Sequence, residues 1–348
     1  MTSWGPPRGG KGGQMKSTLY AGAACALVLF ASEATADDSS AALGLGGIQF
    51  TQSADIRMAD EDLRISPKRV DIRFVFVNDS KKDIDTMVAF PLPDLNTAEF
   101  SNSPIGTVTK DPVNFVGFSV KADGHPVAVS VEQRAFYNNR DVTAVIKSVG
   151  LPVNVIADEG YRLLVALPAA KRKILVKADL ADFDDNNNAL PHWIVRTNFY
   201  WRQHFPAGKQ IVFEQSYQPV TGQFYLGGTS FAQNPANDEQ SKSYCLDGPT
   251  RAGLRTRVAA KLKADPQAGG YFFANETDYV LKTGNNWKGP IGHFRLTLDK
   301  LKPENVLSLC WDGALKKTGA TTFEDVRENF APRSDIKLLV VEDHGPGQ

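Results

Sequence analysis

The chain has 348 residues, 39 basic and 39 acidic, with 42% hydrophobic residues and only three cysteines. This balance excludes a polyanion binder acting through bulk charge. The length allows two domains of about 150 residues each.

The N-terminus reads as an export signal. Met15-Lys16 gives a short positive start, Leu19 to Ala31 an apolar stretch, and Ala34-Thr35-Ala36 a small-x-small cleavage site before Asp37. That is the order of parts in a secretory signal peptide. The apolar stretch of ~13 residues falls short of the ~20 needed to span a bilayer. Gly22-Ala23-Ala24-Cys25 resembles a lipoprotein box, but too little apolar sequence precedes it. Residues 1 to 14 are rich in Gly and Pro and fit no fold, so Met1 and Met15 both stand as starts. Cleavage after Ala36 removes Arg8, Lys11, Lys16 and Glu33, leaving a net charge of −2. The mature chain is then expected in the periplasm or secreted, with no transmembrane span and no nucleic-acid partner.

The rest reads as mainly β with α insertions: two antiparallel β-sandwich-like domains with a mostly helical insertion between them. Ile48 to Met58 and Asp62 to Ser66 are short strand candidates. Lys68 to Val77 alternates, with Val70, Ile72, Phe74 and Phe76 on one face, and Asp83 to Pro91 follows a turn cluster at Asn78-Asp79-Ser80. The two are expected to pair as a hairpin. Asp123-Gly124 between Phe115–Val120 and Val127–Val131 is a second hairpin signal. Residues 41–132 form the expected N-terminal sandwich.

Residues 133–189 are expected to be mostly helical. Val142, Val145, Ile146 and Val149 have helical spacing, stopped by Gly150 and Pro152. Tyr161 to Ala170 is a second helix candidate. Residues 190–345 are expected to form a C-terminal β-rich domain. It opens with a long strand from His192 to Phe205 that pairs with Gln210 to Tyr217. A helix over Gly253 to Lys263 places Leu254, Val258 and Leu262 on one face. Strands follow at Tyr279–Lys282, His293–Leu298, Val306–Trp311 and Ile336–Val341.

Once the leader is removed, Cys245 and Cys310 form an even pair in an oxidising compartment, which predicts a disulfide. The closed loop of ~66 residues implies on the order of 4 kcal/mol.

Ala42 to Gly47, Met58, Glu61 to Ser66, Phe90-Pro91-Leu92-Pro93-Asp94, Asn286 to Gly292, Phe294 to Leu296, Asp299-Lys300, Leu309 to Gly313 and Lys316-Lys317 together resemble the bacterial domain-of-unknown-function 4424 family. The resemblance covers nearly the whole mature chain. It implies a bacterial cell-envelope protein, periplasmic in a Gram-negative cell, and carries no catalytic assignment. The segment ending in Phe90-Pro91-Leu92-Pro93-Asp94 also looks like the opening of vault/inter-α-trypsin-type β-sandwiches, an analogy of fold alone.

Candidate chemistry is sparse. Asp182, Asp184 and Asp185 beside Asn186 to Asn188 offer clustered oxygens of the kind calcium takes, but an EF-hand loop would need Gly and Glu where Asn187 and Trp193 stand. The alternative is a solvated turn. None of the five histidines has metalloprotease or zinc spacing, and nucleophile-elbow and nucleotide-binding motifs are absent. No cofactor is expected. Alternation along His192–Phe205 puts Trp193, Phe199 and Trp201 on one face, as core or as a binding platform. Trp287, flanked by Asn286 and Lys288 in a Gly-Pro loop, is the candidate binding residue, because exposed loop aromatics serve recognition. The resulting expectation is a non-enzymatic envelope module binding a protein or glycan partner. The alternatives are an envelope-polymer hydrolase using loop carboxylates and a purely structural protein.

Overall fold

Alternation of apolar and polar residues recurs along the chain after residue 47, and strands are its commonest regular element. The computed structural model describes residues 39–44, 47–100, 109–156, 158–267 and 269–342. The expected signal peptide, Cys25 and its cleavage site lie outside the described residues.

In chain order the first elements are β1 (Ser39–Gly44), β2 (Gly47–Phe50), β3 (Ile56–Ser66), β4 (Arg69–Asn78), β5 (Ile84–Pro91), β6 (Leu95–Asn96) and the one-turn α1 (Thr97–Phe100). Then come β7 (Ser119–Ala122), β8 (His125–Pro126), β9 (Ser130–Tyr137), β10 (Arg140–Asp141), α2 (Thr143–Ser148), α3 (Asp158–Val165), α4 (Ala169–Lys177), β11 (Ala181–Phe183) and β12 (Ala189–Pro191). The remainder comprises β13 (Ile194–Phe205), β14 (Gln210–Tyr217), β15 (Gly222–Gly227), α5 (Gly228–Gln233), α6 (Glu239–Ser243), α7 (Gly248–Ala264), β16 (Tyr271–Tyr279), a 3₁₀ turn at Lys282–Asn286, β17 (Ile291–Asp299), β18 (Val306–Leu309), β19 (Lys316–Lys317), β20 (Thr322–Phe330) and β21 (Ile336–Glu342).

Two large sheets face each other. One has the order β10-β9-β13-β5-β1-β2, with β6 also on β13; the other has the order β19-β20-β17-β3-β4-β14-β7-β8. Their inner faces meet in one core. Phe76 on β4 lies edge-on to Phe205 of the opposite sheet at 6.3 Å, and Trp201 lies edge-on to Phe213 at 5.7 Å. Trp193, Phe199 and Trp201 are all buried, which makes them core rather than a binding platform. The Asp123-Gly124 hairpin forms between β7 and β8, with positive φ at both residues (47° and 80°), the conformation a two-residue turn of this hand requires.

Pairing departs from expectation where the chain changes sheets. β4 and β5 are both strands but do not pair; β4 lies between β3 and β14, and β5 between β1 and β13. Likewise β14 pairs with β4 and β7 rather than with β13. The turn clusters at 78–80 and 206–208 carry the chain across the sandwich instead of closing a hairpin. β17 inserts beside β3 as a parallel neighbour, with Leu296 opposite Leu63. Strands from 41–132 and from 190–345 therefore share sheets, and all described residues belong to one compact unit. Residues 133–189 hold three short helices framed by β9–β10 and the β11–β12 hairpin, with Leu164 and Leu175 reaching the shared core. β16 occupies Tyr271–Tyr279, earlier than the strand expected at Tyr279–Lys282: only Tyr279 of that stretch is in a strand, and Lys282 opens the 3₁₀ turn Lys282–Asn286.

A third layer positions the candidate site. Its sheet has the order β15-β16-β21-β18. On β21, Leu338 and Val340 face the main core, while Leu339 and Val341 face a second cluster under α5 and α7. Burial on both faces explains the unbroken apolar run there. α7 starts earlier than its apolar spacing implies, because Asp247 accepts a hydrogen bond from the Thr250 amide at 2.7 Å and Pro249 sits in the first turn.

Candidate functional site

On β16, alternation places Glu276 and Asp278 on the same face as Phe272 and Ala274. Phe272 and Ala274 are covered by the helices, whereas Glu276 and Asp278 line a cleft of ≈ 210 Å³. The facing wall is the Leu92–Asp94 segment and its continuation through Leu95 and Asn96 to Glu99. Tyr217, at the end of β14, and Val220 and Phe224 complete it.

Local bonds fix this wall. The Leu92 amide donates to the Thr197 carbonyl at 2.9 Å, and the Thr97 hydroxyl to the Trp193 carbonyl at 2.7 Å. The Asn96 side-chain amide donates to Glu99 at 2.9 Å. Arg196 clamps Asp94 through two hydrogen bonds, at 3.0 and 2.7 Å, which neutralises that carboxylate.

The floor is unbalanced. Glu276 stands opposite Gly222, where a Cβ would lie 3.6 Å from its carboxylate, so the missing side chain leaves the cleft open above it. Burial, with the Glu276 charge adding to it, pushes the Asp278 carboxyl up to about 6; Lys337, across the ladder on β21, offsets only part of this. Asp278 Oδ1 has no hydrogen-bond partner among the described residues, and neither has the hydroxyl of Tyr217, which is 4% exposed. Burial raises the Tyr217 phenol well above its ordinary value, with the Asp278 charge adding to it. Tyr244 donates its hydroxyl hydrogen to Glu276 and is raised mainly by burial. Its ring stacks on Phe224 with centroids 6.2 Å apart.

The residues singled out from sequence lie elsewhere. Trp287 is 2% exposed and packs against Phe76 with centroids 4.5 Å apart, so it is a core residue and not a loop-tip contact. Its neighbours fasten the loop to β3 and the β4 turn. The Asn286 carbonyl accepts from the Ser53 amide, the Lys288 amide donates to the Ile56 carbonyl, and the Lys288 ammonium pairs with Asp79 at 3.0 Å. That hydrogen bond from Lys288 holds the Asp79 carboxyl below its ordinary value.

Asp184 spends its oxygens inside its own turn, accepting from the amides of Asn186 and Asn188 and from the Asn188 side chain. Asp182 reaches His192 at 3.2 Å, and Asp185 is exposed. Among the described residues no group of three His, Cys, Asp or Glu is placed to hold a metal. Cys245 and Cys310 are joined, with Cα atoms 5.1 Å apart. No helix among the described residues is long and apolar enough to cross a membrane.

An exposed aromatic cluster does exist, on β15 and β16. Tyr225 lies 6.0 Å from Tyr271 and 4.9 Å from Phe273 between ring centroids. The sequence signal was present, since Tyr225, Tyr271 and Phe273 alternate with Phe224, Phe272 and Ala274, but strand assignment stopped short of both segments. The cleft carboxylates were missed for the same reason.

The fold is a mainly β, disulfide-linked structure of packed sheets with an acid-floored cleft. Residues 36–339 match the family described as Domain of unknown function (DUF4424), and the chain belongs to that family. No curated protein matches it. Among solved structures, a candidate nutrient binding protein from Legionella pneumophila is similar at 16% identity, with a TM-score of 0.40, over 83% of this chain and 68% of that one.

Proposed function

We propose that this protein is a non-enzymatic binding module of the bacterial cell envelope, exported by the segment at 15–36, and that its ligand site is the cleft between the Leu92–Glu99 wall and β16. The observation that carries the reading is the pairing of apolar walls with unpartnered polar atoms on Tyr217 and Asp278. Buried polar groups ordinarily find partners within the fold, and binding sites are where they are left for a ligand.

The test is a thermal-shift screen of small metabolites, amines, sugars and short peptides against the full mature chain and a plugged variant. Gly222→Leu fills the space above Glu276 without demanding a left-handed backbone. A compound that raises the Tm of the wild type and not of Gly222→Leu supports the reading. A screen in which every hit stabilises both equally overturns it.

A second reading has one specific observation behind it. Glu276 and Asp278 stand two residues apart on one strand face, ~6.6 Å between Cα atoms, and Asp278 holds its proton to about pH 6. A protonated acid beside a second carboxylate is the pair of groups a glycosidase uses. Release of reducing ends from envelope glycan, abolished by Glu276→Gln, would favour hydrolysis over binding.

A further inference from the structure

Resting on the cleft as the ligand site, we infer that it selects an organic cation, a primary ammonium or guanidinium head on an apolar stem. Of the four carboxylates nearby, Asp94 is already paired with Arg196. That leaves Glu99, Glu276 and Asp278 facing the space, against Lys337 as the cation opposite Asp278. Asp335, just before β21, is engaged with Lys282 at 3.3 Å and with the amides of Leu281 and Lys282. The local charge is therefore negative, and an anionic ligand would be repelled.

Hydrogen-bond chemistry points the same way. Glu276 and ionised Asp278 only accept, and Tyr244 already donates to Glu276. A ligand that satisfies Asp278 Oδ1 must bring donors, and an ammonium brings three. The Tyr217 hydroxyl, 4% exposed and unpartnered, is an independent polar group lining the same cleft, available to accept from that head. Leu92, Leu95, Val220 and the Phe224 ring form the apolar surround for a stem. The volume, ≈ 210 Å³, suits a small amine rather than a polymer.

The experiment is isothermal titration calorimetry of the full mature chain at pH 8 with phenethylamine and agmatine, against phenethyl alcohol and phenylacetate. The amines are expected to bind about tenfold or more tightly than the alcohol and the acid, the range of a charged hydrogen bond. Asp278→Asn and Glu276→Gln are each expected to weaken amine binding by about tenfold, with circular dichroism confirming their fold. At pH 6, amine binding should release protons as Asp278 ionises. The groups that set this titration are Glu276 on its own strand, Lys337 on β21 and Asp335 just before it, Glu99 from α1, Tyr217 and Tyr244.

Equal binding of the alcohol or the acid, unchanged amine affinity in both variants, or no amine binding overturns the inference. If a neutral or anionic compound stabilises the wild type but not Gly222→Leu, the cleft remains the ligand site and only the cation preference falls. If no compound discriminates between those two proteins, both fall.

Discussion

Tyr244 holds Glu276 by a hydrogen bond from the residue immediately before disulfide-bonded Cys245. The covalent link and the cleft floor are thus separated by one peptide unit. Cys245 sits in a left-handed backbone conformation (φ 51°), and the Tyr244 carbonyl accepts from the Ser308 hydroxyl at 2.8 Å, two residues before Cys310. The disulfide pins the turn that presents Tyr244.

Removing that pin is expected to cost stability and site order together. Cys245→Ser should lower the unfolding free energy by about 2–4 kcal/mol, read by urea denaturation. Tyr244→Phe, which keeps the ring stacked on Phe224, should cost only about 1 kcal/mol. Equal denaturation midpoints for Cys245→Ser and the wild type would remove the disulfide from the account of stability.

Asp278 makes the protein less stable at neutral pH than it would otherwise be. Its carboxyl titrates at about 6 when folded, against 3.8 as the ordinary value, so the folded state binds the proton more tightly. Stability is then favoured below pH ~4 and declines as pH rises through 6. Asp278→Asn lacks this loss. It should be more stable than the wild type by about 1–3 kcal/mol at pH 8, with the difference vanishing near pH 4. Parallel pH–stability curves for the two proteins would refute it.

Trp287 is expected to act through packing. Trp287→Ala should destabilise by about 3–5 kcal/mol, because it empties space between Phe76 and Phe205. Lys288→Ala removes an exposed pair with Asp79 and should cost no more than ~1 kcal/mol. The cleft ligand's affinity should be unchanged in Lys288→Ala, measured by calorimetry.

Gly292 lies where β17 meets β3. A Cβ there would stand 2.6 Å from the Ala59 carbonyl oxygen, a backbone atom that cannot swing aside. Gly292→Ala is expected to lower stability by about 1–3 kcal/mol, read as a falling Tm. Gly289→Ala, with open space around its Cβ but a φ of 71°, offers a comparison in which only backbone strain acts.

What was legible in the sequence was local. Strand-like runs marked β4, β5, β13, β14, β17 and β21, with period-two alternation in β4 and β13 and an unbroken apolar run in β21, and Asp123-Gly124 marked its turn, because these signals act over a few residues. Pairing partners were illegible wherever a turn crossed between sheets: Asn78-Asp79-Ser80 has the composition of a hairpin turn, yet Asn78 bonds to the Phe205 carbonyl in the opposite sheet. Trp287 misled because a Gly-Pro loop reads as exposed whether or not a core lies beneath it. The Cys245–Cys310 link followed from parity alone once Cys25 was assigned to the leader. The cleft was hidden because Leu92, Tyr217 and Asp278 meet only through the tertiary fold.

The parallel seam between β3 and β17 also has a consequence in time. His293 and Asp60, bonded across it at 2.9 Å, are 233 residues apart in the chain. A ribosome adding about 5–20 residues per second needs roughly 10–50 s to make that stretch. Throughout that interval one long edge of β3, with Leu63 and Ile65 beside it, has no neighbour on the nascent chain. Such an edge invites pairing with another strand until β17 covers it.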